Sequence, residues 1–170
     1  MIMNCAYDQI YHEHLLYYSL HSLQRLLSQF DMEIFDASLV EIHGGSCIAH
    51  ICKKGMRKSS MALAGLLKQE KTVGIDRIDI YKKFATNSEK QRSIMNQIIS
   101  DLKSSGKNIQ ALGAPVKGST IINFCNLNEN QIDCAVEINP YKFGTYIPGS
   151  KIPVLNESEV DKPDVYLLLA

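Results

Sequence analysis

Ile109-Gln110-Ala111-Leu112-Gly113-Ala114-Pro115-Val116-Lys117-Gly118-Ser119 carries the clearest architectural signal in this chain. A short apolar run enters a loop punctuated by glycine and proline, and Ser119–Cys125 then reads as the start of a helix. Further along, Asp133–Ile138 reads as a second strand. Val165–Leu169, entered by Pro163-Asp164, reads as a third. Strands that alternate with helical stretches imply a parallel sheet, because a parallel neighbour needs a crossover long enough to hold a helix.

A turn between a strand and a helix is where anions bind, since unpaired amides and the helix dipole both favour negative charge. Gly113 to Gly118 is not a Walker loop: Lys117 precedes the second glycine instead of following it. The two glycines have the outer spacing of the dinucleotide fingerprint, but Pro115 replaces the middle glycine that lets backbone approach a pyrophosphate. Gly113, Lys117, Gly118 and Ser119 are therefore candidates for holding a phosphate in another pose, beside the alternative of a purely structural turn. Asn139-Pro140-Tyr141-Lys142-Phe143-Gly144-Thr145-Tyr146-Ile147-Pro148-Gly149 follows the second strand on the same carboxyl edge. Asn139, Lys142 and Tyr146 are candidates there, beside the alternative of a rigid Pro/Gly surface loop. The arrangement from 107 to 170 is expected to be Rossmann-like.

Upstream, the spacing is helical. Ile94, Met95, Ile98, Ile99 and Leu102 share one face of a helix closed by Gly106, and Thr86-Asn87-Ser88-Glu89 fits a capping box at its start. Asp76–Ala85 is expected as a separate short helix, and Ser59–Lys71 as another that stops near Gly74. Residues 56–106 thus read as a helical connector. Before it, Ser19 or Ser22 caps a helix carrying Leu20, Leu23, Leu26, Leu27 and Phe30, ended by Asp31. Met32–Ile42 and Cys47–Cys52 read as strands joined by the turn His43-Gly44-Gly45-Ser46. That α/β fragment should want a partner sheet.

The bulk numbers narrow the function classes. With 170 residues and 45% hydrophobic content the chain can bury one good core plus an attached piece. A formal net charge of zero offers no basic field for nucleic acid or an anionic membrane, and no run approaches a membrane span, so neither is an expected partner. The five cysteines (Cys5, Cys47, Cys52, Cys125 and Cys134) have no paired C-x-x-C spacing and read as reduced, mostly buried thiols of a cytoplasmic protein.

The N-terminal run Tyr11-His12-Glu13-His14, followed by Leu15-Leu16-Tyr17-Tyr18, is denser in chemistry than a core requires. Imidazole and carboxylate pass protons near neutral pH, and a phenol donates to developing negative charge. In a strand Tyr11 and Glu13 would share one face, and His12 and His14 the other; a tight loop would converge all four. Ordinary surface histidines at a polar strand end fit the same residues. His12, His14 and Glu13 as metal ligands are a weaker alternative, because Leu16 breaks a His-Glu-x-x-His pattern, and no metal is expected.

The Tyr-His-Glu-His-Leu-x-Tyr-Tyr-Ser-Leu run resembles a signature of S-adenosylmethionine-dependent C-methyltransferases of nucleotide-linked deoxysugars. The resemblance continues, in the family's order, through His43-Gly44-Gly45-Ser46, Gly113 to Gly118, and Asn139-Pro140 to Val154. It implies an α/β chain made of the tail of a class I methyltransferase domain (1–55), the helical connector (56–106) and an incomplete Rossmann-like nucleotide-sugar domain (107–170). It also implies a nucleoside-diphosphate sugar as partner and methylation of a carbon beside a ketone. Carried over by residue, His14 is the base, Glu13 tunes it, Tyr11 donates to the enolate, and His12 does the same or points away. His43 borders the pocket or is structural.

Where the family tends to place Asp before Asn-Pro, this chain has Glu137. The family's cysteine zinc cluster and its Glu-x-Gly-x-Gly-x-Gly donor loop do not occur in these 170 residues. The chain therefore reads as cut at both ends and inactive alone, with S-adenosylmethionine bound by a separate polypeptide or missing part. A non-catalytic nucleotide-sugar module or subunit is the runner-up.

Overall fold

The computed structural model describes residues 1–42 and 45–169. The expected His43-Gly44 part of the turn lies outside the described residues. The chain divides into two compact units, one of residues 1–6 and 15–86, the other of 7–14 and 87–170.

In the first unit, α1 (Leu20–Ser28) opens with a capping box in which Ser19 and Ser22 exchange side-chain-to-backbone hydrogen bonds. Strands β1 (Met32–Val40) and β2 (Ser46–Lys53) form an antiparallel pair with a bulge at Phe35. Helix α2 (Met61–Val73) is capped by Ser60, whose hydroxyl accepts from the Leu63 amide at 3.0 Å and donates to Asp36. It ends at Gly74 in the left-handed conformation (φ 79°), the stop read from the sequence. From α2, Glu70 accepts from the Leu20 and His21 amides at 2.7 and 3.1 Å, satisfying two orphan donors of α1. Leu20, Ile34, Ala37 and Leu63 make a small core here.

Helix α3 runs unbroken over Ile78–Ser104. The two helices expected on either side of Thr86-Asn87-Ser88-Glu89 are one, and the capping box does not form. No Gly or Pro interrupts residues 75–105, so nothing forces the backbone out of helical angles there. Ser88 is instead a buried mid-helix residue, and Glu89 reaches Arg92 along the helix surface at 3.4 Å.

In the second unit β3 (Ile109–Leu112), β4 (Cys134–Glu137), β5 (Val154–Asn156) and β6 (Val165–Leu168) form an all-parallel sheet in the order β5-β4-β3-β6. β5 is an addition to the three strands expected. It is only three residues long and follows Pro153, which suits an edge position. The order reverses at β3, which makes the crevice beyond the carboxyl ends of β3 and β6 a topological switch point. At the opposite edge Asp133 and Asp164 accept from the Ile109 and Asn108 amides and pair with Lys103 and Lys107, fixing the entry of β3.

Helix α4 covers Val116–Phe124, so Val116, Lys117 and Gly118 belong to its first turn and not to the preceding loop. Pro115, which lacks an amide hydrogen, sits at the N-cap. Ile109, Ala111, Ile122, Cys125, Ala135, Ile152 and Val154, with Ile99 of α3, are buried together in the main core. The cysteines are all free thiols; Cys125 and Cys134 are buried, but Cys47 is exposed, against the mostly buried set expected. Among the described residues no helix is long and apolar enough to cross a membrane.

Candidate active site

The second unit begins with a segment far from the rest of it in sequence. Tyr7–Gln9 makes a single 3-10 turn, closed by the Ile10 amide on Tyr7 O at 2.9 Å. A second turn follows at once, with the His14 amide on Tyr11 O at 3.0 Å. Residues 11–14 are thus a tight turn and not the strand whose alternation would separate them. The turn stacks the Tyr11 and His14 rings at 4.2 Å between centroids, with His12 6.2 Å from Tyr11. His14 Nδ1 lies 2.8 Å from the carbonyl oxygen of Gln9. A carbonyl only accepts, so Nδ1 carries the proton and the lone pair of neutral imidazole falls on Nε2. His12, Glu13 and His14 are exposed and Tyr11 is half-buried.

Tyr11 and His12 form one side of an open groove of about 580 Å³. Val116, Ser119, Thr120, Asn123 and Phe124 of α4, with Ile10 and Pro148, line the rest of it. Two of the candidate catalytic residues and one candidate substrate residue therefore meet, across more than a hundred positions of sequence. Glu13 and His14 are not among the residues that line the groove, although the His14 ring contacts that of Tyr11. Tyr146 lies in an adjoining shallow depression with Gly149 and Ser150, and Pro148 belongs to both hollows.

Sequence reasoning did not single out Asn123, although it joins two walls of the groove. Its amide nitrogen donates to Ser119 O at 2.7 Å and to Pro148 O at 2.8 Å. Its oxygen sits where a Cβ on Gly149 would be, 2.1 Å away, and Gly149 also has φ +82°. Only a glycine lets the 146–150 loop approach α4 this closely. The signal in the sequence was the Pro148-Gly149 pair, which marked a turn without naming its neighbour.

The Gly113–Ser119 candidates divide. Gly113 takes φ +82° and turns the chain out of β3. The next amide, Ala114, donates to the Glu137 carboxylate at 3.2 Å. Glu137 also accepts from the Ile138 and Asn139 amides and from Lys142 Nζ at 3.0 Å, and Lys142 in turn donates to Ala114 O at 3.0 Å. The Lys142 ammonium, backed by these amides, holds the Glu137 carboxyl down at about 2. An acidic group of this chain thus takes the donors that an anion would otherwise find in that loop, and Lys142 is engaged by it. Gly118 is buried, with no unusual backbone angle; its lack of a side chain lets α4 close on Leu169, whose Cβ would lie 2.9 Å from a Cβ added there. Lys117 is half-buried in the first turn of α4, and Ser119 faces the groove. Asn139 caps the Pro140–Lys142 turn by accepting from the Tyr141 amide at 3.1 Å. Among the described residues no three His, Cys, Asp or Glu side chains gather as a metal site.

The family model described as the C-methyltransferase C-terminal domain matches residues 41–170. The C-methyltransferase NovU of Streptomyces niveus is 31% identical over 173 residues, an alignment that takes in all of this chain and 41% of the relative. The chain thus spans about two fifths of that relative's length. It belongs to the C-methyltransferase family, and residues 41–170 are its C-terminal domain.

Proposed function

We propose that this chain binds a nucleotide-linked keto-deoxysugar and turns it into the carbon nucleophile for methyl transfer from S-adenosylmethionine. The observation that carries the reading is the Tyr11–His14 pair, stacked on a turn whose Gln9 carbonyl sets the histidine tautomer, beside a groove that presents the Ser119 and Thr120 hydroxyls. A carbon next to a ketone attacks only after it loses a proton. His14 Nε2 takes that proton, the C–H electrons move into the ring to give an enolate, and the Tyr11 hydroxyl donates to the enolate oxygen. His12, Ser119 and Thr120 hydrogen-bond sugar hydroxyls along the groove.

When bound, S-adenosylmethionine supplies an electrophilic methyl group. The described residues do not fit it: the strand-to-helix turn at Gly113–Pro115 is closed by Glu137, and the first unit holds an antiparallel pair, not a parallel strand entering a helix. Its site, and the zinc cluster implied with it, are assigned by this reading to sequence outside the chain.

Enolate formation needs no methyl donor, and that separates the steps. In D2O the 170-residue chain should exchange deuterium into the carbon beside the ketone of a dTDP-, UDP- or GDP-linked keto-deoxysugar, read by NMR. His14→Gln should slow the exchange by about 10²-fold or more, and Tyr11→Phe by a comparable factor. Binding of the sugar without exchange would replace this reading with a non-catalytic nucleotide-sugar module. No binding of any of the three would remove both.

A further inference from the structure

The Tyr-His-Glu-His turn is short and largely exposed, and it belongs neither to a helix nor to a sheet. An aromatic contact just before it holds it against α4. The Tyr7 ring lies against Phe124 at the end of α4, centroids 4.6 Å apart and tilted by 49°, a favourable offset arrangement. On the same phenylalanine the Arg92 guanidinium of α3 sits 5.7 Å from the ring centroid. The Tyr7 hydroxyl reaches Sγ of Cys125, a thiol that is only 1% exposed, at 3.8 Å.

Between Tyr7 and Tyr11 the chain has almost no slack, because the Ile10 amide closes onto Tyr7 and the His14 amide onto Tyr11. Wherever Tyr7 sits, Tyr11 and His12 must follow. Phe124 also lines the groove into which they face, so the anchor and the site share one helix end.

From this we infer that Tyr7 is a positioning residue: its ring, stacked on Phe124 over the buried Cys125 thiol, docks the catalytic turn onto α4. The inference deepens the proposed function, since it says what brings Tyr11 and His12 to the groove, and it rests on that reading for its meaning in catalysis. Its test needs no ligand, so failure of the sugar reading and failure of the anchor are told apart.

The test compares unmodified chain, Tyr7→Ala, Tyr7→Phe and Phe124→Leu by three measurements. Imidazole carbon–proton spectra report His12 and His14. Maleimide labelling, located by mass spectrometry, reports access to Cys125. Amide exchange in β3 and β4 reports whether the sheet is intact. In Tyr7→Ala the His12 and His14 signals should move to unstructured-peptide positions and Cys125 labelling should accelerate by about tenfold or more, with the sheet still protected. Tyr7→Phe, which keeps the ring, should restore both. Phe124→Leu retains apolar bulk but removes the stacking partner and should behave as Tyr7→Ala does, which keeps the test decisive if one variant unfolds. Wild-type imidazole signals in Tyr7→Ala with a protected sheet would overturn the assignment. So would a Tyr7→Phe variant as displaced as Tyr7→Ala, because the ring would then not be the anchor.

Discussion

The antiparallel pair of the first unit and the parallel sheet of the second use apolar residues in opposite ways. β1 and β2 leave Leu39, Ile48 and Ile51 exposed, and four buried residues make up the core beside them. In the second unit β3 and β4 are buried along nearly their whole length, in a core of twelve buried residues. A two-stranded ribbon shields little on its own, whereas a central parallel strand is covered on both faces. The groove with Tyr11 and His12 is built on the better-buried unit. This suits the proposed enolate chemistry, in which the His14 base and the Tyr11 phenol must be held within fractions of an ångström by elements that do not yield.

The largest effect should come from emptying the better core. Ile122 is fully buried, and Ile122→Ala should cost about 3–4 kcal/mol, the lost transfer energy plus the cavity left behind. If the comparison is right, amide exchange should accelerate by roughly 10²-fold or more in β3 and β4 and stay nearly unchanged in β1 and β2. Equal acceleration in both sheets would break the contrast and make the chain one cooperative block. Leu63→Ala is the reciprocal variant: Leu63 is 1% exposed, and its loss should loosen β1 and β2 alone.

Much of this was legible in the residues, and the failures have physical causes. Gly74 ends α2 as read, because a left-handed glycine acts locally, while the cap is Ser60, inside the start expected at Ser59. Thr86-Asn87-Ser88-Glu89 misled for the converse reason: a capping box matters only where the chain already leaves the helix, and nothing there makes it leave. The start of α4 was misplaced by three residues because Gly118 suggested a loop, while its real cause is the approach of Leu169, a contact no local pattern reveals. The edge strand β5 is held by its partner β4 and not by its own three residues. The convergence of Tyr11 and His12 with Ser119 could not be read from spacing at all. It depends on where residues 7–14 dock, and the aromatic anchor that sets this involves Tyr7 and Phe124, 117 positions apart, neither unusual in its own neighbourhood.

The Glu137 clasp should give the next largest effect and sharpen the contrast by pH. A carboxyl held at about 2 stabilises the fold above its ordinary value of 4.5, and this contribution fades as pH falls toward 2. The second unit should therefore lose stability over that interval by thermal or urea unfolding. Glu137→Gln should lower stability at neutral pH by about 1.5–3 kcal/mol and flatten the acid dependence. Lys142→Met leaves three amide donors on the carboxylate and should cost less, about 1 kcal/mol. An acid profile unchanged in Glu137→Gln would mean that the clasp contributes little and that the carboxyl edge is held by packing.

The smallest effects test the contrast most cleanly, because one substitution should change sign between the units. Gly65 lies exposed within α2, and a Cβ built on it meets nothing within 4 Å. Gly65→Ala replaces a poor helix former by the best one, and should stabilise by about 0.5–1 kcal/mol. Gly118 also lies in a helix and should gain the same propensity, but its added Cβ would fall 2.9 Å from Leu169 Cβ and 3.2 Å from Pro115 Cδ. Neither contact is the far end of a flexible side chain, so α4 or the end of β6 must shift. Overpacking of this kind costs about 1–3 kcal/mol, which outweighs the propensity gain and leaves Gly118→Ala destabilised by about 1 kcal/mol. Denaturant midpoints at constant m-value resolve a difference of this size between the two variants. A stabilised Gly118→Ala would mean that α4 can ride away from the sheet at little cost. The groove it carries would then be an adjustable surface, and the rigidity attributed to the second unit would have to come from the Asn123–Pro148 bridge instead.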